Sequence, residues 1–221
     1  MRKVLILILV IIIIVGGIFT YKHFQHKDSD LKEIETSELT PVSSNNNENY
    51  FLLYINETSK DNSNLIVNGT ISRGNIKVND EISIVGLDKK EVITKVSKIK
   101  TNNKETDVAY EGDNIDLILE TDVPDDYIIQ GQAIIKTGTT KPIYNINAKL
   151  NSISTDNISE LESKVNLFSI NYDIDCYIKV ISEENNEVKI TLDVPIVIDD
   201  GIEITLKNNN KVLAKGITIN N

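Results

Sequence analysis

In the C-terminal third of the chain, apolar and polar residues alternate with a period of two, a pattern that commits a sequence to half-buried β-strands. Across residues 143–153, Tyr144, Ile146, Ala148 and Leu150 fall on one face and Asn145, Asn147, Lys149 and Asn151 on the other. Ile174, Cys176, Ile178 and Val180 alternate with Asp175, Tyr177 and Lys179. Val188, Ile190, Leu192 and Val194 alternate with Lys189, Thr191 and Asp193, and Ile202, Ile204 and Leu206 with Glu203 and Thr205. Turn residues punctuate the runs from residue 50 onward: Arg73-Gly74-Asn75, Val78-Asn79-Asp80, Glu111-Gly112-Asp113-Asn114, Asp199-Asp200-Gly201 and Asn208-Asn209-Asn210. About a dozen short strands at this spacing predict a mainly β fold of barrels or sandwiches. The one weak helix candidate in this region is residues 157–164. Thr137-Gly138-Thr139-Thr140-Lys141-Pro142 has no periodicity, and the boundary between two β units is placed there, giving domains at 50–140 and 141–221.

The N-terminal residues follow a different rule. Residues 4–19 are an unbroken run of Val, Leu, Ile, Gly and Phe after Met1-Arg2-Lys3. Extended through Tyr21, the run is about 27 Å long as a helix, enough to cross a hydrocarbon core. Residues 1–21 therefore read as a transmembrane helix acting as a signal anchor. A cleaved signal peptide is the competing reading, with Gly17 as a candidate cleavage residue beside the bulky Val15. Arg2, Lys3 and the terminal amine outweigh Lys22 and Lys27, which Asp28 and Asp30 dilute. That asymmetry puts the N-terminus in the cytoplasm and the β region outside, in a single-pass cell-membrane protein. Residues 22–49 are polar, with Glu33, Glu35, Glu38 and the run Ser43-Ser44-Asn45-Asn46-Asn47. Such a segment cannot bury a core and reads as a flexible linker.

Charge and residue inventory then exclude several chemistries. The net charge of −10 argues against non-specific nucleic-acid binding, which needs Lys and Arg to neutralise phosphates. Cys176 is the only cysteine, so an intramolecular disulfide and a Cys₄ or Cys₂His₂ zinc site are both excluded. Its alternation makes it a small core residue rather than a nucleophile. The two histidines, His23 and His26, lie three apart beside the membrane run and lack a third ligand. No candidate catalytic triad exists.

The motifs in the β region resemble a known family. Gly69-Thr70-Ile71-Ser72-Arg73-Gly74-Asn75-Ile76-Lys77-Val78-Asn79-Asp80-Glu81-Ile82-Ser83-Ile84-Val85-Gly86 resembles the start of the second domain of elongation factor Tu. Glu111-Gly112-Asp113-Asn114-Ile115 is similar to that domain's Ala-Gly-(Asp/Glu)-Asn-Val turn. Gln130-Gly131-Gln132-Ala133-Ile134-Ile135-Lys136-Thr137-Gly138-Thr139-Thr140-Lys141-Pro142 is similar to its Arg-Gly-Gln-Val-Leu-Ala-Lys-Pro-Gly-(Thr/Ser)-Ile-x-Pro passage. Pro195-Ile196-Val197-Ile198-Asp199-Asp200-Gly201-Ile202 and Val212-Leu213-Ala214-Lys215-Gly216-Ile217-Thr218 resemble stretches of the third domain. The resemblance implies two antiparallel β-barrels packed side by side. No Gly-x₄-Gly-Lys-(Ser/Thr) phosphate loop is present, and neither Asn103-Lys104 nor Asn210-Lys211 is followed by the Asp that reads guanine in the family. GTP binding is therefore not expected. Val108, in Asp107-Val108-Ala109-Tyr110, stands where the family has an acidic residue that holds the aminoacylated end of tRNA. The family's Gly-Tyr-Arg-Pro-Gln-Phe strand is replaced near Ser163-Lys164-Val165-Asn166-Leu167-Phe168, without its Arg.

Remaining motifs have ordinary readings. Asn56-Glu57-Thr58, Asn68-Gly69-Thr70 and Asn157-Ile158-Ser159 fit the glycosylation pattern at a frequency close to chance in an Asn-rich chain. Asp125-Asp126 and Asp199-Asp200 suit turns or solvated positions better than paired catalytic carboxylates or a calcium site. Lys89, Lys90, Lys95, Lys98 and Lys100 form one basic strand, read either as a charged sheet edge or as a surface for an anionic partner. The sequence thus predicts a non-enzymatic, membrane-anchored binding or scaffold module with no cofactor and a protein as its partner. Its ligand-binding residues are unknown. The alternative is a translation-related accessory protein facing the cytoplasm, binding tRNA, the ribosome or a translation factor.

Overall fold

A computed structural model of the protein describes residues 32–33, 50–61, 64–121, 123–124, 127–154, 158–209 and 211–219. The expected transmembrane helix over residues 1–21 lies outside the described residues, as does the linker apart from residues 32–33. Among the described residues no helix is long and apolar enough to cross a membrane. β1, Lys32–Glu33, pairs antiparallel with Ser152 and Ile153.

Eight strands follow in the first β unit: β2 (Phe51–Asp61), β3 (Asn64–Lys77), β4 (Glu81–Gly86), β5 (Lys89–Thr101), β6 (Lys104–Thr106), β7 (Val108–Tyr110), β8 (Asn114–Glu120) and β9 (Ala133–Lys136). Six of them run in the order β2-β9-β4-β5-β8-β3, and a β2–β3 pairing closes the circle. Short β6 attaches to β5 and β7 to β3. The second unit contains β10 (Ile143–Ile153), β11 (Lys164–Ser169), β12 (Tyr172–Ser182), β13 (Glu187–Ile196), β14 (Glu203–Asn208) and β15 (Lys211–Thr218). Its order β10-β13-β12-β11-β14-β15 closes through a β10–β15 pairing. The protein is therefore mainly β, with two closed six-stranded antiparallel barrels. Closure leaves few strand edges that could template aggregation. Within residues 157–164 the only helical element among the described residues is a single 3₁₀ turn, Ile158–Leu161.

Alternation predicts the second barrel's interior well: Ile174, Cys176 and Ile178 of β12 and Val188, Ile190 and Leu192 of β13 are buried. Tyr144 departs from it. A register shift between Ile143 and Asn145 turns the Tyr144 side chain outward, as a β-bulge does, and the ring is 47% exposed.

Three strands of the first barrel do not alternate, because both of their faces are covered. Phe51, Leu53 and Ile55 of β2 point into the first barrel's core, whereas Leu52 and Tyr54 pack with the second barrel's apolar cluster. In β4, Ile82 and Ile84 face inward and Val85 faces the second barrel. In β9, Ile134 faces inward while Ala133 and Ile135 face outward onto the neighbour. From the second barrel, Tyr172 at the start of β12 and Val197 and Ile198 in the β13–β14 connection belong to the same cluster. One continuous apolar layer thus fills the second barrel and extends under the first.

Candidate functional site

The strongest departures from ordinary side-chain chemistry lie at the seam between the barrels. Tyr50 immediately precedes β2, and its hydroxyl donates to Asp199 Oδ1 at 2.7 Å. The Arg73 guanidinium sits 5.5 Å from the centroid of the Tyr50 ring, and its Nε lies 3.4 Å from Asp199 Oδ2. That ion pair does not reach hydrogen-bond geometry, so Oδ2 accepts no hydrogen bond among the described residues. Thr218 Oγ1 donates to the Asp199 carbonyl at 2.5 Å and accepts from the Ile202 N–H at 3.0 Å. Beneath this group Tyr54 and Tyr172 meet edge to face, with centroids 6.1 Å apart. The Tyr172 hydroxyl donates to the Val197 carbonyl at 3.2 Å. The Tyr54 hydroxyl is buried and has no hydrogen-bond partner among the described residues.

Burial dominates the electrostatics. Asp199 is only 8% exposed, and desolvation pushes its carboxyl above the usual range. The Tyr50 hydrogen bond and the Arg73 charge pull it back, while Asp200 and Glu111 add repulsion. Burial and then the Asp199 hydrogen bond raise the Tyr50 phenol far above its ordinary value. Burial also raises Tyr54, reinforced by Tyr172 and Asp199, and burial alone raises Tyr172.

Two hairpin tips complete the seam. Leu87 and Asp88, between β4 and β5, have φ of 58° and 55°, in the left-handed region that β-carbon sterics disfavour. Contacts across the seam hold them there: the Leu87 N–H donates to the Pro195 carbonyl at 2.8 Å, and Asp88 Oδ1 accepts from the Tyr144 hydroxyl at 2.9 Å. From the other side, Asn171 in the β11–β12 turn donates to Asn56 Oδ1 at 2.7 Å and to the Ile55 carbonyl at 3.3 Å. The Arg73-Gly74 and Asp199-Asp200-Gly201 motifs, 126 positions apart in sequence, therefore meet at one ion pair. Reading Asp199-Asp200 as a solvated turn missed the burial of Asp199. A signal was present, since four apolar residues, Pro195 to Ile198, run directly into it.

The remaining candidates resolve differently. β5 is not an edge, because β4 and, further along, β6 pair with one side of it and β8 with the other. Three of its lysines stand beside acids: Lys95 faces Glu81, Lys100 faces Glu105 and Asp116, and Lys98 Nζ lies 3.2 Å from Glu105. Opposite-charge cross-strand pairs of this kind stabilise a sheet locally. A shallow cleft of about 290 Å³ lies beside them, lined by Val78, Ser97, Lys98, Ile99, Glu105, Thr106 and Asp107. Val108 follows Asp107 on β7, half-buried and paired with Lys77. Cys176 is fully buried, and burial pushes its thiol up to about 12, so it is no nucleophile at neutral pH. Asn68 Nδ2 is held by Asp116 at 2.8 Å and by Asn114 at 3.2 Å within a paired strand, a poor setting for glycan attachment. Asn157, Asp125-Asp126 and His23/His26 lie outside the described residues. Among the described residues no group of three His, Cys, Asp or Glu could hold a metal ion.

Residues 65–135 match the family model described as Elongation factor Tu domain 2, which covers the greater part of the first barrel. The second barrel packs against it as the resemblance of residues 195–218 to a third domain implies. The first barrel is thus similar to elongation factor Tu domain 2, and a second closed six-stranded barrel packs against it.

Proposed function

We propose that the protein is a non-enzymatic binding module, tethered by its apolar N-terminal run to the cytoplasmic membrane and displayed on the outer face, where its barrels engage a protein partner. One observation carries this reading. Strongly perturbed titratable groups in a cleft are the usual mark of an active site. Here Tyr50, Tyr54, Tyr172 and Asp199 are all used to join the barrels, Cys176 fills a core, and Lys164 is raised by exposed contacts to Asp175 and Asp193. The perturbed groups serve cohesion, which suits a rigid presenting body.

The family match favours a second reading, a cytoplasmic accessory of translation. Filter binding of aminoacyl-tRNA to the full chain at about 150 mM salt, with and without GTP, separates the two. We expect no saturable binding. Val108 offers no side-chain acceptor where the family has an acid, and a lost charged hydrogen bond of that kind typically costs about 1.5–3 kcal/mol. The net charge of −10 also opposes phosphate contacts. Tight, acyl-dependent binding would replace the first reading with the second.

A further inference from the structure

We propose that the β4–β5 and β11–β12 hairpin tips are reciprocal latches, each held in a strained turn by the other barrel, and that together they set the angle at which the barrels meet. Each tip is a two-residue turn. Gly86 pairs with Lys89 around Leu87-Asp88, and Ser169 pairs with Tyr172 around Ile170-Asn171. Leu87, Asp88 and Ile170 have φ of 58°, 55° and 48°. Turns with positive φ favour Asn and Gly, and a β-branched residue there is an outlier. Burial gives Ile170 little in return, since it is 40% exposed. Neither turn carries the residues that its own hairpin would select, and the cost is offset across the seam.

Each tip reaches the opposite barrel. Leu87 packs against the second barrel's apolar cluster, its N–H donates to the Pro195 carbonyl, and Asp88 accepts from the Tyr144 hydroxyl. In return Asn171 donates to Asn56 Oδ1 and to the Ile55 carbonyl. The two tips converge on Gly131, where an added β-carbon would lie 3.2 Å from Leu87 Cδ1 and 3.5 Å from the Asn171 carbonyl oxygen. Gly131 also has a φ of +87°, a conformation that glycine adopts without steric cost. The apolar layer between the barrels is non-directional, so by itself it permits a range of tilts. Hydrogen bonds are directional, and those at the tips select one tilt. The device is a lock on a pivot: with the tips released, the barrels tilt on the apolar layer without either one unfolding. It depends neither on the tether nor on the identity of the partner.

Pulsed electron-spin distance measurements on the full chain test it, with labels at Lys95→Cys in the first barrel and Lys179→Cys in the second. Cys176 is buried and stays unlabelled. A control pair, Glu57→Cys and Lys95→Cys, lies within the first barrel. Tyr144→Phe combined with Asn171→Ala removes these side-chain hydrogen bonds from both tips and leaves the apolar layer in place. Without these two changes, both pairs are expected to give narrow distributions. With them, the 95–179 distribution is expected to broaden at least twofold while the control pair stays narrow. A 95–179 distribution that is broad from the start, or that stays narrow in the double variant, would overturn the lock. Broadening of the control pair would overturn it too, by assigning the tips to the integrity of a single barrel. Ile170→Gly tests the strain. Glycine accepts positive φ and the change keeps both Asn171 hydrogen bonds, so the urea midpoint of unfolding is expected to rise. A midpoint that falls or does not move would overturn the claim that the other barrel imposes the turn.

Discussion

Two tyrosines four positions apart make opposite contributions at the seam. The Tyr50 hydroxyl has a carboxylate acceptor, so Tyr50→Phe leaves Asp199 short of a donor and is expected to cost about 1–2 kcal/mol. The Tyr54 hydroxyl is buried without a full partner, so Tyr54→Phe is expected to change stability between zero and a gain of about 1 kcal/mol. Urea unfolding of the two variants checks the contrast, and equal losses would contradict it. Asp199 adds a pH dependence of determinate sign. The groups facing it are Tyr50, Tyr54 and Arg73 from the first barrel, Glu111 from the turn after β7, and Asp200 on its own loop. Its carboxyl titrates higher in the folded than in the unfolded chain, so folding favours the protonated form. The contribution is fully present below the unfolded value of about 3.9 and is lost as pH rises through the folded value. Asparagine at 199 cannot ionise. The stability of the wild type minus that of Asp199→Asn should therefore fall between pH 4 and pH 7, as read by urea unfolding at each pH; a flat or rising difference would refute the assignment.

At the scale of elements, the seam explains which strands were legible. β12 and β13 each have one covered face, so their residues alternate and the sequence announces them. β2, β4 and β9 are covered on both faces and read as short apolar runs, which periodicity alone cannot distinguish from other buried segments. Leu52→Ala and Leu53→Ala test this directly. Alternation would leave one of the two exposed and nearly neutral. The structure buries both, Leu52 in the seam and Leu53 in the first barrel, and each substitution is expected to cost about 2–5 kcal/mol in chemical unfolding. A loss below about 0.5 kcal/mol for either, the range of surface changes, would contradict the docking. Tyr144 was misread for a related reason, since a bulge shifts the parity of a strand without leaving a signature in its residue types. The lysines of β5 were visible but not their partners, because Glu81, Glu105 and Asp116 lie on other strands and only the register brings them alongside.

Over the whole molecule, the two-barrel architecture was legible because local motifs, turn residues and strand periodicity all pointed to it. The joint was not. Tyr50, Arg73 and Asp199 come from three distant segments, and their convergence depends on how one closed barrel packs on another. This joint packs the two barrels against each other, and the proposed function adds that the pair is tethered and displayed outside the cell membrane. Protease accessibility tests that claim most directly. The full chain is expressed in its host, and intact cells or spheroplasts are treated with protease, with a cytoplasmic protein followed as control. The account expects cleavage within residues 22–49 that releases the barrels while the cytoplasmic control survives, and a membrane-bound full-length chain before treatment. Protection of the chain until the membrane is lysed, or recovery of a soluble chain beginning near Gly17, would contradict it.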